Sequence, residues 1–170
     1  MQYRGYRERR PSTEQAMKHQ LLFLGKIKDR FIEEGVGEYG SRLKHYTSFA
    51  ITVLKEKGKG RGKFLTAEEQ GKLLLQAVPA GATIVVLDSH GKQFTSEAFS
   101  RKIDEWEMQG IKQVCYLIGG PDGHAAEVLA AADLLVSLSK MTFTHDMARL
   151  LLVEQLYRAY TIKAGEQYHK

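Results

Sequence analysis

Cysteine is almost missing from this chain of 170 residues: Cys115 stands alone. A single thiol excludes a disulfide framework and a cysteine-built zinc cluster. Long apolar runs are missing as well. The longest, such as Ala82 to Leu87, fall far short of the roughly twenty residues that a membrane helix needs. No apolar signal region follows the N-terminus. His90, His124 and His145 have no carboxylate or cysteine at metal-ligand spacing, so no metal is expected. These absences point to a cytoplasmic protein that uses neither membrane nor metal.

What is present suits a folded domain. Apolar residues make up 43% and charged residues 26%, close to the globular average. The length suits one domain with a sizeable core. The net charge of +5 favours a polyanionic partner, though weakly. Residues 1–16 hold Arg4, Arg7, Arg9 and Arg10 against Glu8 and Glu14, so part of that charge sits outside the body. This segment is polar and aperiodic. It reads as a disordered extension, a mis-assigned start or an expression remnant, with 17–170 as the single domain.

From Met17 onward, strands alternate with helices. His19 to Leu24, Phe49 to Leu54, Ala82 to Leu87, Val114 to Ile118 and Leu134 to Leu138 read as strands. The periodicity predicts helices over 28–45, 66–77, 96–109, 125–132 and 146–162. Thr66 with Glu69 three residues on is a capping-box pattern. Alternation with short connections implies an α/β fold with a mainly parallel sheet flanked by helices. Ligands of such sheets bind beyond the carboxyl ends of the strands. Three strand ends carry non-random chemistry: Leu87-Asp88-Ser89, Ile118-Gly119-Gly120 and Leu138-Ser139-Lys140. They are the candidate ligand site.

The glycines of IGGPDG let backbone approach a ligand closely, but their spacing is not that of a dinucleotide fingerprint. A plain strand-to-helix turn explains them equally well. In SLSKMTFTH, capping accounts for Thr144 and Asp146 but not for Ser137, Ser139, Lys140 and Thr142 together. On the last helix, Glu154, Gln155 and Arg158 share one polar stripe, and Arg149 falls on the opposite, apolar side. A guanidinium there must be paired or must face a ligand. The loop KEKGKGRGK, with Lys59 and Arg61, suits phosphate contacts, although a solvated loop is the plainer explanation. Cys115, in mid-strand, reads as a buried hydrophobe.

LLFLGK, LDSHGKQFTSEAF, LIGGPDG, SLSKMTFTHDMARLLLVEQLYRAYTI and the terminal YHK together resemble the bacterial large-subunit ribosomal RNA pseudouridine-N3 methyltransferases, minimal members of the SPOUT superfamily. The resemblance runs from Met17 to Lys170. It implies a SPOUT-type α/β-knot, with the C-terminal segment in a trefoil knot, and a homodimer binding S-adenosyl-L-methionine. It implies methylation of N3 of a pseudouridine in the intersubunit-bridge stem-loop of the large-subunit ribosomal RNA, within the assembled 70S ribosome. The cofactor site carries over to Leu87, Gly119, Leu138, Ser139, Lys140, Met141, Thr142 and Phe143. Tyr168, His169 and Arg149 carry over as catalytic candidates, and Lys170 and Arg158 as RNA-side ones, to which the loop reading adds Lys59 and Arg61. Arg149 or Lys140 would favour the N3 anion, and His169 would take the proton or hold the base. The family pattern has proline where Thr144 stands and a small or apolar residue where His124 stands. Two other readings remain: a SPOUT enzyme acting on transfer RNA, and a non-catalytic ribosome-associated RNA-binding protein.

Overall fold

The computed structural model describes residues 16–55 and 64–169. The N-terminal segment, the loop with Lys59 and Arg61, and Lys170 lie outside the described residues. Among the described residues, five strands and five helices alternate. The strands are β1 (Lys18–Leu24), β2 (Ser48–Leu54), β3 (Thr83–Gln93), β4 (Gln113–Ile118) and β5 (Leu134–Ser137). The helices are α1 (Arg30–Leu43), α2 (Ala67–Ala77), α3 (Ser96–Met108), α4 (Ala126–Ala131) and α5 (His145–Lys163), followed by a 3-10 turn at Gln167–His169.

Local chemistry sets the helix starts. Asp29 accepts the Phe31 N–H at 2.8 Å to cap α1. Thr66 and Glu69 form the expected capping box on α2, and Thr95 caps α3 through the Ala98 N–H. Thr144 accepts the Met147 N–H at 3.2 Å and starts α5. Each such cap contributes on the order of 1 kcal/mol. Gly35 and Gly40, which weaken α1 on propensity alone, are packing positions. An added Cβ would lie 2.9 Å from Leu150 at the first and 2.9 Å from Phe49 at the second.

The sheet order is β2-β1-β4-β3-β5, and every pair is parallel. Alternation along β1 splits the core between two faces. Leu21 and Phe23 join Leu152, Val153 and Leu156 of α5 on the side of α1 and α3. Leu22 and Leu24 join Leu74 of α2 and Val128 of α4 on the other. The fold is therefore three layers, α/β/α, with α5 wedged between α1 and α3. At roughly 1.5–3 kcal/mol per fully buried aliphatic side chain, this central helix is a main anchor of the fold.

A polar spine crosses the first face at the amino ends of the strands. The fully buried His19 bonds the Tyr116 hydroxyl through Nδ1 (3.0 Å) and the Tyr160 hydroxyl through Nε2 (2.8 Å). Burial, helped by the nearby Lys163 charge, pulls the His19 pKa down to about 3, so the ring is neutral. Burial also pushes the Cys115 thiol up to about 11, consistent with an inert core residue.

One strand departs from the sequence expectation. β3 does not stop at Leu87 but continues to Gln93. Val136 of β5 pairs with Leu87 in the first half of β3 and with Lys92 in the second. The register shifts between Leu87 and Lys92, so the chain bulges before it pairs with β5 a second time. Gly91 sits at this crossing. A Cβ there would lie 2.6 Å from backbone atoms of Leu135 and Val136. The side chains over 88–93 are polar and largely exposed, so no apolar pattern announces this stretch as strand.

Candidate functional site

The middle of β3 and the carboxyl ends of β4 and β5 open into one cleft of about 690 Å³. Leu87 lines it from β3, Gly119 from β4, and Leu138, Ser139, Met141, Thr142 and Phe143 from the turn into α5. Seven of the eight residues expected at the cofactor site thus meet around one space. The eighth, Lys140, is exposed and not part of the cleft wall. Asp88 and Ser89, at the flagged end of β3, also line it.

The hydroxyls of the turn shape the turn itself. Ser137 donates to the Ser139 carbonyl at 2.9 Å, and the Ser139 hydroxyl accepts the Met141 N–H at 3.0 Å. These bonds account for two hydroxyls that capping alone left unexplained. The same turn displays Met141, 75% exposed, and Phe143, 39% exposed, at the mouth of the cleft.

Arg149 is where the helical wheel placed it, and of the two options read from the sequence it takes the first: it is paired. Its side chain is wholly buried, donates to the Leu24 and Gly25 carbonyls beyond β1, and pairs with Asp146 at 2.9 Å. The guanidinium also lies 4.6 Å from the Phe23 ring centroid. Arg149 does not line the cleft. The expected contact with the reacting base gives way to a structural one, because the carbonyls at the end of β1 need donors and a buried cation needs acceptors.

The C-terminal tail folds back on its own protomer. The Tyr168 hydroxyl donates to Glu154 (3.1 Å) and lies 3.3 Å from the Tyr39 hydroxyl, and its ring packs on Tyr157. Burial and the Glu154 charge raise the Tyr168 pKa, so the phenol stays protonated. Arg158 lies over the Tyr168 ring and is paired with Glu154 at 2.6 Å. Tyr168 and Arg158 therefore hold the tail in place, and much of the Arg158 charge is balanced within the protein. The backbone of His169 ends the last turn.

Two further residues line the cleft. The His124 Nε2 accepts the Gly119 N–H at 3.1 Å. His145 lines the cleft at the start of α5, with Nε2 3.5 Å from Asp146. The sequence reading gave neither a role in the cleft. The signal that would have found them is adjacency to the flagged strand ends: one follows IGGPDG, the other follows the hydroxyl turn.

A parallel α/β sheet with a glycine-walled cleft at its strand ends defines a nucleotide- or cofactor-binding class of fold. The family described as predicted SPOUT methyltransferase matches residues 17–169, and the chain belongs to that family. Among its relatives, the ribosomal RNA large subunit methyltransferase H of Desulfotalea psychrophila is 60% identical over 154 residues, 91% of this chain and 100% of the relative. The protein of the same name from Halothermothrix orenii is 39% identical over 159 residues, again 91% and 100% of the two chains. That of Christiangramia forsetii is 40% identical over 151 residues, 88% and 96%.

Proposed function

We propose that this chain transfers a methyl group from S-adenosylmethionine to N3 of a pseudouridine in the intersubunit-bridge stem-loop of large-subunit ribosomal RNA. It would act in the cytoplasm, as a homodimer, on the assembled ribosome. The observation that carries this reading is the meeting of Leu87, Gly119 and the 138–143 turn around one cleft. Its volume, about 690 Å³, falls within the roughly 300–1,000 Å³ usual for small-molecule sites. Leu87, Leu138 and Met141 offer apolar surface for a flat base, and Gly119 leaves backbone bare where β4 ends. The names of the relatives support the RNA class.

Two details support the quaternary and topological parts of the proposal. Phe31, Met141 and Phe143 form exposed apolar surface close to the start of α5, as a partner subunit would require. Lys28, just before α1, donates its N–H to Asp146 of α5 at 3.4 Å, which brings Phe31 towards the same end. The double pairing of Val136 supports a threaded C-terminal segment.

The sulfonium supplies an activated methyl group and its own leaving group, so the protein's share is positioning and one proton. N3 of a uracil-like ring must lose that proton. His145 faces the cleft, and its Nε2 lies near a carboxylate that Arg149 holds in place. His145 is the acceptor assigned here, and His169 and Lys170 remain on the substrate side of the tail.

Mass mapping of the stem-loop tests the reading, using unmodified ribosomes incubated with cofactor, with and without the protein. One added methyl on the pseudouridine is expected, with none on free transfer RNA; the reverse pattern would overturn it. Removing residues 168–170 is expected to abolish methylation while calorimetric affinity for S-adenosylhomocysteine changes less than about threefold, since the tail anchor lies on α1 and α5. Equal loss of both would sink the assignment of the tail to substrate. Gly119→Val is expected to remove measurable cofactor binding. A Cβ there meets the Gly123 carbonyl and the His124 ring, both at 3.1 Å, so a branched side chain pushes the cleft wall away. Unchanged affinity in the same titration would refute this.

A further inference from the structure

His124 is a half-buried imidazole in the wall of the cleft, and the methyl-transfer chemistry above makes no use of it. Its Nε2 accepts the Gly119 N–H at 3.1 Å, so a neutral ring must carry its proton on Nδ1. Nδ1 is buried with no partner at hydrogen-bond geometry, and the Leu87 carbonyl is the backbone group that attracts its proton. Burial outweighs the pull of Leu87 and of the Asp88 carboxylate, so the ring is harder to protonate than an ordinary histidine. The ring thus stands between the end of β4 and the end of β3.

The surrounding turn makes this position matter. Gly123 returns its N–H to the Gly120 carbonyl at 3.1 Å and adopts φ +78, which favours glycine. Gly119, Gly120, Pro121, Gly123 and His124 all line the cleft. No side chain of this turn other than His124 bonds back to β4 among the described hydrogen bonds. A turn so rich in glycine holds one shape only if something fixes it.

We infer that His124 is a positioning residue of the cofactor cleft: its neutral imidazole occupies the Gly119 amide and holds the Gly120–Gly123 turn in the shape that forms the cleft wall. The inference rests on the cofactor reading above. It has a specific consequence for recognition. With its N–H engaged by His124, Gly119 offers a bound adenosyl sulfonium its Cα surface and its carbonyl, not its amide.

Calorimetry with S-adenosylhomocysteine and nitrogen-15 NMR test this together. His124→Ala leaves the half-buried Gly119 N–H without its acceptor and frees the turn, and is expected to weaken binding about tenfold or more. His124→Gln, whose side-chain oxygen can accept the same N–H, is expected to restore affinity to within about threefold of the wild type. In the wild type without ligand, the imidazole should show protonated Nδ1 and acceptor Nε2, and the Gly119 amide should shift in His124→Ala but much less in His124→Gln. Alanine and wild-type proteins of equal affinity would overturn the inference, as would a Gly119 amide that leaves His124 for the ligand on binding. If His124→Ala does not fold, the wild-type tautomer and the glutamine variant still decide. Failure of the cofactor reading looks different: the wild type would bind no S-adenosylhomocysteine, with the Gly119–His124 bond intact in its spectrum.

Discussion

Gly91→Ala is expected to destabilise the protein by about 3 kcal/mol or more, the upper end for forced overpacking. A Cβ at this position would sit 2.6 Å from three backbone atoms of Leu135 and Val136. Flexible side chains move out of the way of an added methyl, but paired backbone cannot do so without breaking its ladder. Here the ladder is the double pairing of Val136 with Leu87 and Lys92. For a domain of this size the loss corresponds to a fall in Tm of roughly 6–12 °C. Thermal unfolding followed by circular dichroism checks it. Gly37, where an added Cβ meets nothing within 4 Å, supplies the control. Its alanine variant is expected to be neutral or stabilising, by up to about 1 kcal/mol, because alanine is the better helix former. If both variants melted like the wild type, the crossing of β3 over β5 would not be as close as described.

Arg149→Met is expected to cost about 3–5 kcal/mol, the range for leaving one partner of a buried ion pair alone. Methionine fills much of the volume but donates nothing. The Leu24 and Gly25 carbonyls lose a donor, and Asp146, only 13% exposed, loses its cation. Denaturant unfolding measures the loss directly. The alternative, that Arg149 touches the reacting base, predicts a different result: a protein of unchanged stability that binds cofactor and does not methylate. A double variant, Arg149→Met with Asp146→Leu, is expected to recover part of the stability, because it removes the orphaned charge as well. The coupling between the two substitutions then separates the pair from the loss of cation packing on Phe23.

The fold class was legible because its signals are local. Thr66 with Glu69, Thr144 before α5, and the short apolar runs of β4 and β5 each report on a few neighbouring residues. The three strand ends of the site were legible for the same reason: glycine, hydroxyl and acidic residues directly after buried strands have few structural uses. What the sequence left open followed a common pattern. For Arg149 and Tyr168 it shows a charged or phenolic side chain in an odd place. It does not show the carbonyls 124 and 125 residues away that hold Arg149, or the Tyr39 hydroxyl 129 residues away that meets Tyr168. His124 was passed over because its partner is a backbone N–H, which every residue but proline carries and which no pattern distinguishes.

Sequence alone determined the alternation of strands and helices, the caps that start the helices, the faces that turn inward, and the residue types gathered at three strand ends. Periodicity and capping act over a turn or two of chain, so they are written in adjacent letters. Only the tertiary structure decided that those ends share one cleft, that β3 runs on past Leu87 to cover β5, and that Arg149 holds the end of β1. Each of these depends on backbone approaching backbone, or a buried donor finding a distant carbonyl. That geometry is set when the layers pack, and it leaves little mark on the local sequence beyond a single glycine at the point of closest approach.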